Sequence, residues 1–296
     1  MTYETIKYET KDRIATITLN RPDKFNTIRP PMWDELELAI RRANHDQDVR
    51  VIILQGAGET FCAGFDFSDN LDHFDMVGLN MDPDHYYPGV DMITATDPSI
   101  APVPKFMSIW RSLKPVITKV HGWCVGGGSE MALCGDFVIA SEDARFGTPY
   151  SRVWGCHLTG MWIYRLGLTK AKQFALTGDS VSGEEAERIG LINEACPLED
   201  LDERTQFWAE RMAKIPTTQL AAMKLIVNQT YDNMGLQSTQ TLGPILDGLM
   251  RNTAEGRGFV RTAMKDGVQQ AVVERDGPFG DYSQGSKDMK PKRRNT

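Results

Sequence analysis

Glu130 closes the run Gly126-Gly127-Gly128-Ser129-Glu130, a turn with three adjacent glycines. Glycines let a backbone come very close to a bound group, and a helix that starts there turns its first amides toward an anion. The helix terminus favours an ionised Glu130, whereas burial raises the pKa of a carboxyl group. A carboxylate between those two effects suits proton abstraction or delivery. It also suits plain stabilisation of the helix end, and spacing alone leaves both readings open. No Gly-Lys-Ser/Thr follows, so this is no Walker loop. The glycines are adjacent, so it is no GxGxxG dinucleotide fingerprint either. A second candidate is GETFCAGFDF, residues Gly58–Phe67, which follows the apolar run Val49–Leu54. Loops at the carboxyl ends of parallel strands are where α/β sheets place ligands. Ala63-Gly64 permits close approach and leaves the Phe65 amide as a donor.

The elements that must position these groups follow from periodicity. Ala15, Ile17 and Leu19 alternate as one strand face. Pro30 and Pro31 suit a helix start, and Met32, Leu36, Ala39, Ile40 and Ala43 continue at helical spacing. Val49–Leu54 is a short apolar strand of the kind buried on both faces, which completes a βαβ unit and predicts a mainly parallel sheet. Between Asp66 and Pro104 the pattern decays into loop and short turns. Phe106, Ile109, Trp110 and Leu113 restore a helical face. Strands are expected at Val116–Val120, Asp136–Ala140, Ala144–Gly147 and Gly190–Ala195, with a capping box at Ser182 and Glu185. Beyond Cys196 the chain reads as wholly helical. The expected division is a core over 1–197, a helical region over 198–282 and a basic tail over 283–296.

Composition excludes several classes. The chain has 296 residues, 41% of them hydrophobic, and a net charge of −7. That is enough apolar material for a full core and gives no general attraction to nucleic acid. No apolar run is long enough to span a bilayer, and the start has no signal-like apolar stretch, so a cytoplasmic, non-membrane protein is expected. Five scattered cysteines, an odd number without CxxC, argue against a disulfide framework. Cys124, Cys134 and Cys156 are expected as packing residues. Asp69, Asp72, His73, Asp75, Asp82, Asp84 and His85 lack the regular spacing of a metal site, and none is expected.

Five segments, in order, resemble the crotonase family, the enoyl-CoA hydratases and isomerases. They are LNRPDKFNTI (Leu19–Ile28), DVRVIILQGAGETFCAGFD (Asp48–Asp66), KPVITKVHGWCVGGGSEMALCGDFVIASEDARFG (Lys114–Gly147), LTGDSVSGEEAERIGLIN (Leu176–Asn193) and DGVQQAVVERDGPF (Asp266–Phe279). The resemblance implies an α/β fold: a ββα spiral core with a C-terminal helical trimerisation region, assembled as a homotrimer or a dimer of trimers. It implies an enzyme of lipid or fatty acid metabolism, nominally an enoyl-CoA hydratase-like lyase, that acts on an acyl-CoA thioester through an enolate. Coenzyme A enters as part of the substrate, with no other cofactor. The amides of Phe65 and Gly127 match the family's oxyanion donors. Lys24, Phe25 and Thr27 match the stretch that holds the CoA nucleotide, with Ala63 and Asp66 in the adjoining loop. Glu130 matches the first glutamate of the hydratases. Trp208, Met212, Met223 and Leu249 are expected between subunits.

The sequence also departs from the family. Where hydratases resemble one another in ending FGxPE, this chain has FGTPY, so Tyr150 replaces the second glutamate. A phenol with a pKa near 10 is a poor base but can donate a hydrogen bond. Isomerisation or carbon–carbon hydrolysis with Glu130 as the single carboxylate is therefore the alternative on this scaffold. A catalytically silent CoA- or RNA-binding member is a further one. Arg152, Trp154, His157 and Trp162 are candidates for an altered acyl pocket, with His157 a possible replacement acid or base. His121 is expected to support backbone, and Asp136 to be structural.

Overall fold

The computed structural model describes residues 2–67 and 87–282. Two hairpin strands, β1 (Ile6–Lys11) and β2 (Ile14–Leu19), lead through helix α1 (Pro30–His45) to β3 (Val51–Gly56). Helices α2 (Pro88–Thr96) and α3 (Pro102–Trp110) precede β4 (Val116–Val120) and β5 (Trp123–Val125). The glycine-rich turn then opens α4 (Gly127–Ala132), followed by β6 (Phe137–Ser141) and β7 (Arg145–Gly147). Next come α5 (Met161–Thr177), β8 (Val181–Ser182), α6 (Gly183–Arg188) and β9 (Glu194–Cys196). The chain ends in α7 (Leu201–Ala213), α8 (Thr217–Asn233), α9 (Leu236–Arg251), α10 (Ala254–Asp266) and α11 (Val268–Asp276).

Strands β1-β2-β3-β4-β6-β9 form one sheet, parallel except for the β1–β2 hairpin. A second sheet, β5-β7-β8, carries the turn toward α4. Alternation along the strands divides the large sheet's residues between two faces. Ile17, Leu19, Ile52, Leu54, Val116 and Val138 enter the main core under α1 and α3. Val51, Ile53, Ile117 and Ile139 enter a second core under α7. That is why Val49–Leu54 reads as almost continuously apolar. The mixed architecture with repeating strand–helix units and a C-terminal helical bundle is the ββα spiral expected from the sequence.

Several local expectations need correction. Strand β1 was not foreseen: its burial pattern leaves most residues at the surface, so the sequence lacks an apolar alternation. Leu113 lies beyond the end of α3 and is exposed. Within the helical stretch expected beyond Cys196, α10 and α11 are separated at Gly267, whose φ is +91°. Trp208 packs on Phe137 with the rings tilted and their centres 4.8 Å apart, and Met212 packs on the same core. Both side chains are partly buried within the chain, while Met223 and Leu249 stay exposed. The Ser182 hydroxyl does accept from the Glu185 amide, 3.2 Å away.

The helical region is tied to the sheet by charge as well as by apolar contact. Lys224 of α8 is buried and donates to Asp136 at 2.7 Å, while Asp136 also accepts from the Val116 amide at 2.7 Å. Burial works against both charges, raising the Asp136 pKa and lowering that of Lys224 despite their mutual attraction. Losing one member of such a pair leaves the other uncompensated. Lys224→Ala is expected to cost about 3 kcal/mol in urea unfolding. A midpoint equal to that of the unchanged protein would show that the pair holds nothing.

Candidate active site

The two candidate donor loops meet backbone to backbone. Gly64 has φ +102° and Gly126 φ +53°, conformations that favour glycine. A methyl group added at Gly64 would come within 3.1 Å of the Val125 carbonyl oxygen and 3.9 Å of the Gly127 nitrogen. The first loop is pinned from the other side: the Ile28 amide donates to Gly64 O at 2.8 Å, and the Asp66 amide to Ile28 O at 2.9 Å. The bulk of Phe65 is accommodated because Gly127 has no side chain. A Cβ there would meet the Phe65 ring at 2.7 Å. The ring lies between Trp33 and Phe106, each with its centre 6.4 Å away.

Both loops face a cavity of about 600 Å³. Lys24, Phe25, Thr27, Ala63, Phe65, Asp66, Gly127 and Tyr150 all lie on its wall. At the Lys24 end the chain turns through left-handed Phe25 and Asn26, and the buried Asn26 amide donates to Ala57 O and Thr60 O, each at 2.8 Å. Asp66 is buried and paired with Arg21 at 2.7 Å, a loop-shaping contact. Farther in, Phe67, Trp154 and Phe259 form three mutually edge-on rings, 5.3–6.3 Å apart. They make this part of the wall aromatic.

Glu130 lies behind that wall. It has no accessible surface and is not among the lining residues. Its Oε2 accepts from the Thr159 amide at 2.9 Å and the Thr159 hydroxyl at 2.5 Å, and its Oε1 lies 3.3 Å from His157 Nδ1. His157 is buried too, edge-on to Tyr150. Tyr150 lines the cavity, with its hydroxyl buried. Among the described residues its buried hydroxyl has no hydrogen-bond partner. Burial raises its pKa well above the usual phenol value, and the nearby Glu130 and Asp247 charges push the same way. It is therefore a neutral hydrogen-bond donor and a poor base.

The other candidates separate clearly. Trp154 lines the cavity, but Trp162 is fully buried and donates to Ser129 Oγ at 3.0 Å. Arg152 is consumed by an ion cluster with Asp179, Asp276 and Asp281. His121 supports backbone, with Nε2 2.8 Å from Gly58 O. Burial pushes the Cys62 thiol up to about 12 and raises those of Cys124 and Cys134 as well, so none is a ready thiolate. No group of three or more His, Cys, Asp or Glu among the described residues could hold a metal ion, and no described helix is long and apolar enough to cross a membrane. The acidic and histidine residues between 69 and 85, and the basic tail, lie outside the described residues. Asp247, on the wall from α9, was missed by sequence reasoning. It has no motif, and only the fold brings α9 across the cavity.

Comparison with known proteins agrees with this frame. The enoyl-CoA hydratase/isomerase family model matches residues 9–81 and 89–246. A crystal structure of an enoyl-CoA hydratase from Mycobacterium smegmatis superposes with a TM-score of 0.88 at 40% identity, over 97% of this chain and 99% of that one. A probable enoyl-CoA hydratase of Rhodobacter capsulatus is 31% identical over 94% of this chain and 99% of its own length. The 1,2-epoxyphenylacetyl-CoA isomerase of Escherichia coli K12 is 30% identical over 74% of this chain and 80% of its own. The chain belongs to the enoyl-CoA hydratase/isomerase family, the crotonase superfamily, and is an enzyme of that family.

The contacts of Glu130 generate a test of its role. Removing one donor from a buried carboxylate costs about 2 kcal/mol. Thr159→Val is therefore expected to lower stability by about that much in chemical denaturation, while Thr159→Ser, which keeps the hydroxyl, stays near the unchanged protein.

Proposed function

We propose that the protein forms and reprotonates the enolate of an acyl-CoA thioester, the step shared by enoyl-CoA hydratases and isomerases. The observation that carries this reading is the meeting of the Phe65 and Gly127 backbones at one cavity, through glycines that no other residue could replace without strain. Two fixed amides can hold the thioester oxygen as negative charge builds on it. Removing one such donor costs roughly 3–4 kcal/mol in other enzymes, so a pair supplies much of a barrier reduction. The nucleotide of coenzyme A belongs at the Lys24–Thr27 turn, and the acyl group runs past Tyr150 toward the aromatic rings. A complex with an acyl-CoA should show the thioester oxygen about 3 Å from both amides. A carbonyl more than about 4 Å from both overturns the proposal.

Water addition is the nominal reaction of the family, and Tyr150 favours proton relocation over it. Hydration needs a held water as well as a proton for carbon. Here the hydratases' second glutamate is replaced by a phenol that can donate but not take a proton, and Glu130 is walled off. Tyr150→Phe is expected to abolish any water addition to crotonyl-CoA and to slow a double-bond shift by no more than about tenfold, since one neutral hydrogen bond contributes about 1 kcal/mol. Both are read by product analysis. Equal loss of the two activities would count against the orienting role.

The same reading assigns the exposed apolar side chains of α8 and α9 to subunit contact. Met223, Leu225, Ile226, Leu242, Leu246 and Leu249 lie open in the single chain. Residues of this kind form the cores of obligate interfaces. Sedimentation at micromolar concentration should give a trimer or a hexamer, and a stable monomer removes this part of the proposal.

A further inference from the structure

Enolate chemistry needs a carboxylate or other base that touches the substrate, and Glu130 does not touch the cavity. Among the described wall residues the acids are Asp23, Asp66 and Asp247. Asp66 is held by Arg21, and Asp23 sits in the short turn beside Lys24, at the end proposed for the nucleotide. Asp247 is ion-paired too, but its side chain is more open than that of Asp66. Helix α9 runs along the segment that follows Tyr150. Gln240 donates to Thr159 O at 3.0 Å, and a Cβ at Gly243 would strike His157 O at 2.7 Å. One turn on, that close packing brings Pro244 and Asp247 to the cavity wall with Tyr150, Gly127 and Leu158. The Asp247 side chain keeps 23% of its surface open, and its Oδ2 lies 3.6 Å from the Arg251 guanidinium one turn farther along. It is thus oriented by a cation on its own helix and still reachable by a ligand.

We propose that Asp247 is the catalytic carboxylate that carries the substrate proton, with Tyr150 beside it on the same wall and Glu130 as a positioning residue for the His157–Thr159 segment. This rests on the acyl-CoA reading above. The step balances within the cavity. An Asp247 oxygen takes the proton from the thioester's α-carbon, and the C–H electron pair becomes the second bond between the α- and carbonyl carbons. The carbonyl π pair moves to oxygen, where the Phe65 and Gly127 amides hold it. Return of the same proton to the α-carbon gives exchange; in a conjugated enolate, return to the γ-carbon gives a double-bond shift. No co-reactant is needed. The charges of both Asp247 and Glu130 bear on the Tyr150 phenol, so a neutral hydroxyl lies where either carboxylate can be felt. Only Asp247, however, lies on the wall. The family match ends at residue 246, so the assignment lies just outside the matched stretch.

The experiment uses the full chain and phenylacetyl-CoA, whose ring suits the Phe67–Trp154–Phe259 wall, with butanoyl-CoA beside it. Solvent deuterium exchange at the α-carbon is followed by NMR, and binding by calorimetry. Asp247→Asn is expected to bind both within a few fold of the unchanged protein and to lose about 100- to 10,000-fold in exchange, the range for loss of a general base. Glu130→Gln is expected to lose less than Asp247→Asn, and Asp247→Glu to restore part of the rate. If Asp247→Asn exchanges at the normal rate, or Glu130→Gln is the more damaged of two equally folded variants, Asp247 is not the base, although the acyl-CoA reading stands. If the unchanged protein neither binds nor exchanges either thioester, that reading fails, and this assignment with it.

Discussion

The absence of side chains where two backbone turns cross is the constraint on which the site depends. Gly128 shows how tight the crossing is: a Cβ there would sit 2.4 Å from the Cys62 carbonyl oxygen and 2.8 Å from the Cys62 Cβ. A Cβ added at Gly122, where φ is +58°, would come within 2.2 Å of the Glu59 carbonyl oxygen. These contacts fasten the loop after β3 to the turn after β5, so two amides from residues 62 positions apart in sequence share one edge of a cavity. Strand pairing cannot do this directly, because the two turns lie outside the regular ladders. They are joined by single bridges, Ile28 to Phe65 and Cys62 to Cys124. The surrounding sheets hold those bridges in register. Preorganised dipoles of this kind need little rearrangement when charge develops on a bound oxygen.

A second consequence concerns Glu130. The first turn of α4 is wholly buried, and a buried carboxylate without partners would cost several kcal/mol. Here the Thr159 amide and hydroxyl meet it, with His157 alongside. A carboxylate so satisfied is well placed to fix the segment that carries Leu158 to the cavity wall. It must break those contacts before it can reach a substrate. Motif position and geometry therefore point to different jobs for the same residue, and hydrogen-bond satisfaction separates them.

Much of this was legible in the sequence, for specific reasons. Ala15, Ile17 and Leu19 alternate because β2 packs one face on the core, and the α1 apolar set recurs because that helix packs one side on the sheet. The glycine turns were legible because few other residues adopt their conformations. The cavity wall was harder to read. Trp154 and Trp162 are eight residues apart and chemically alike, yet one lines the cavity while the other is spent on Ser129. Arg152, adjacent in sequence to the site, is neutralised by Asp276 and Asp281 from the far end of the chain. Such long-range partners leave no local periodicity to detect.

Asp247 is the clearest case of that limit, and it changes how the helical region should be understood. Helix α9 contains a buried Pro244, which removes one backbone donor and normally disfavours a helix interior. Here it sits in a helix that packs through Gly243 directly on the His157 carbonyl and places Pro244 on the cavity wall. A helix that only held subunits together would have no need for a half-buried Asp–Arg pair on its inner side. The inner side of α9 closes the cavity, while Leu242, Leu246 and Leu249 remain exposed. The boundary near residue 197 therefore separates patterns of secondary structure but not functions. On the proposed reading, the spiral core contributes the amides that would hold the oxygen, and the helices supply the wall that the acyl group would meet.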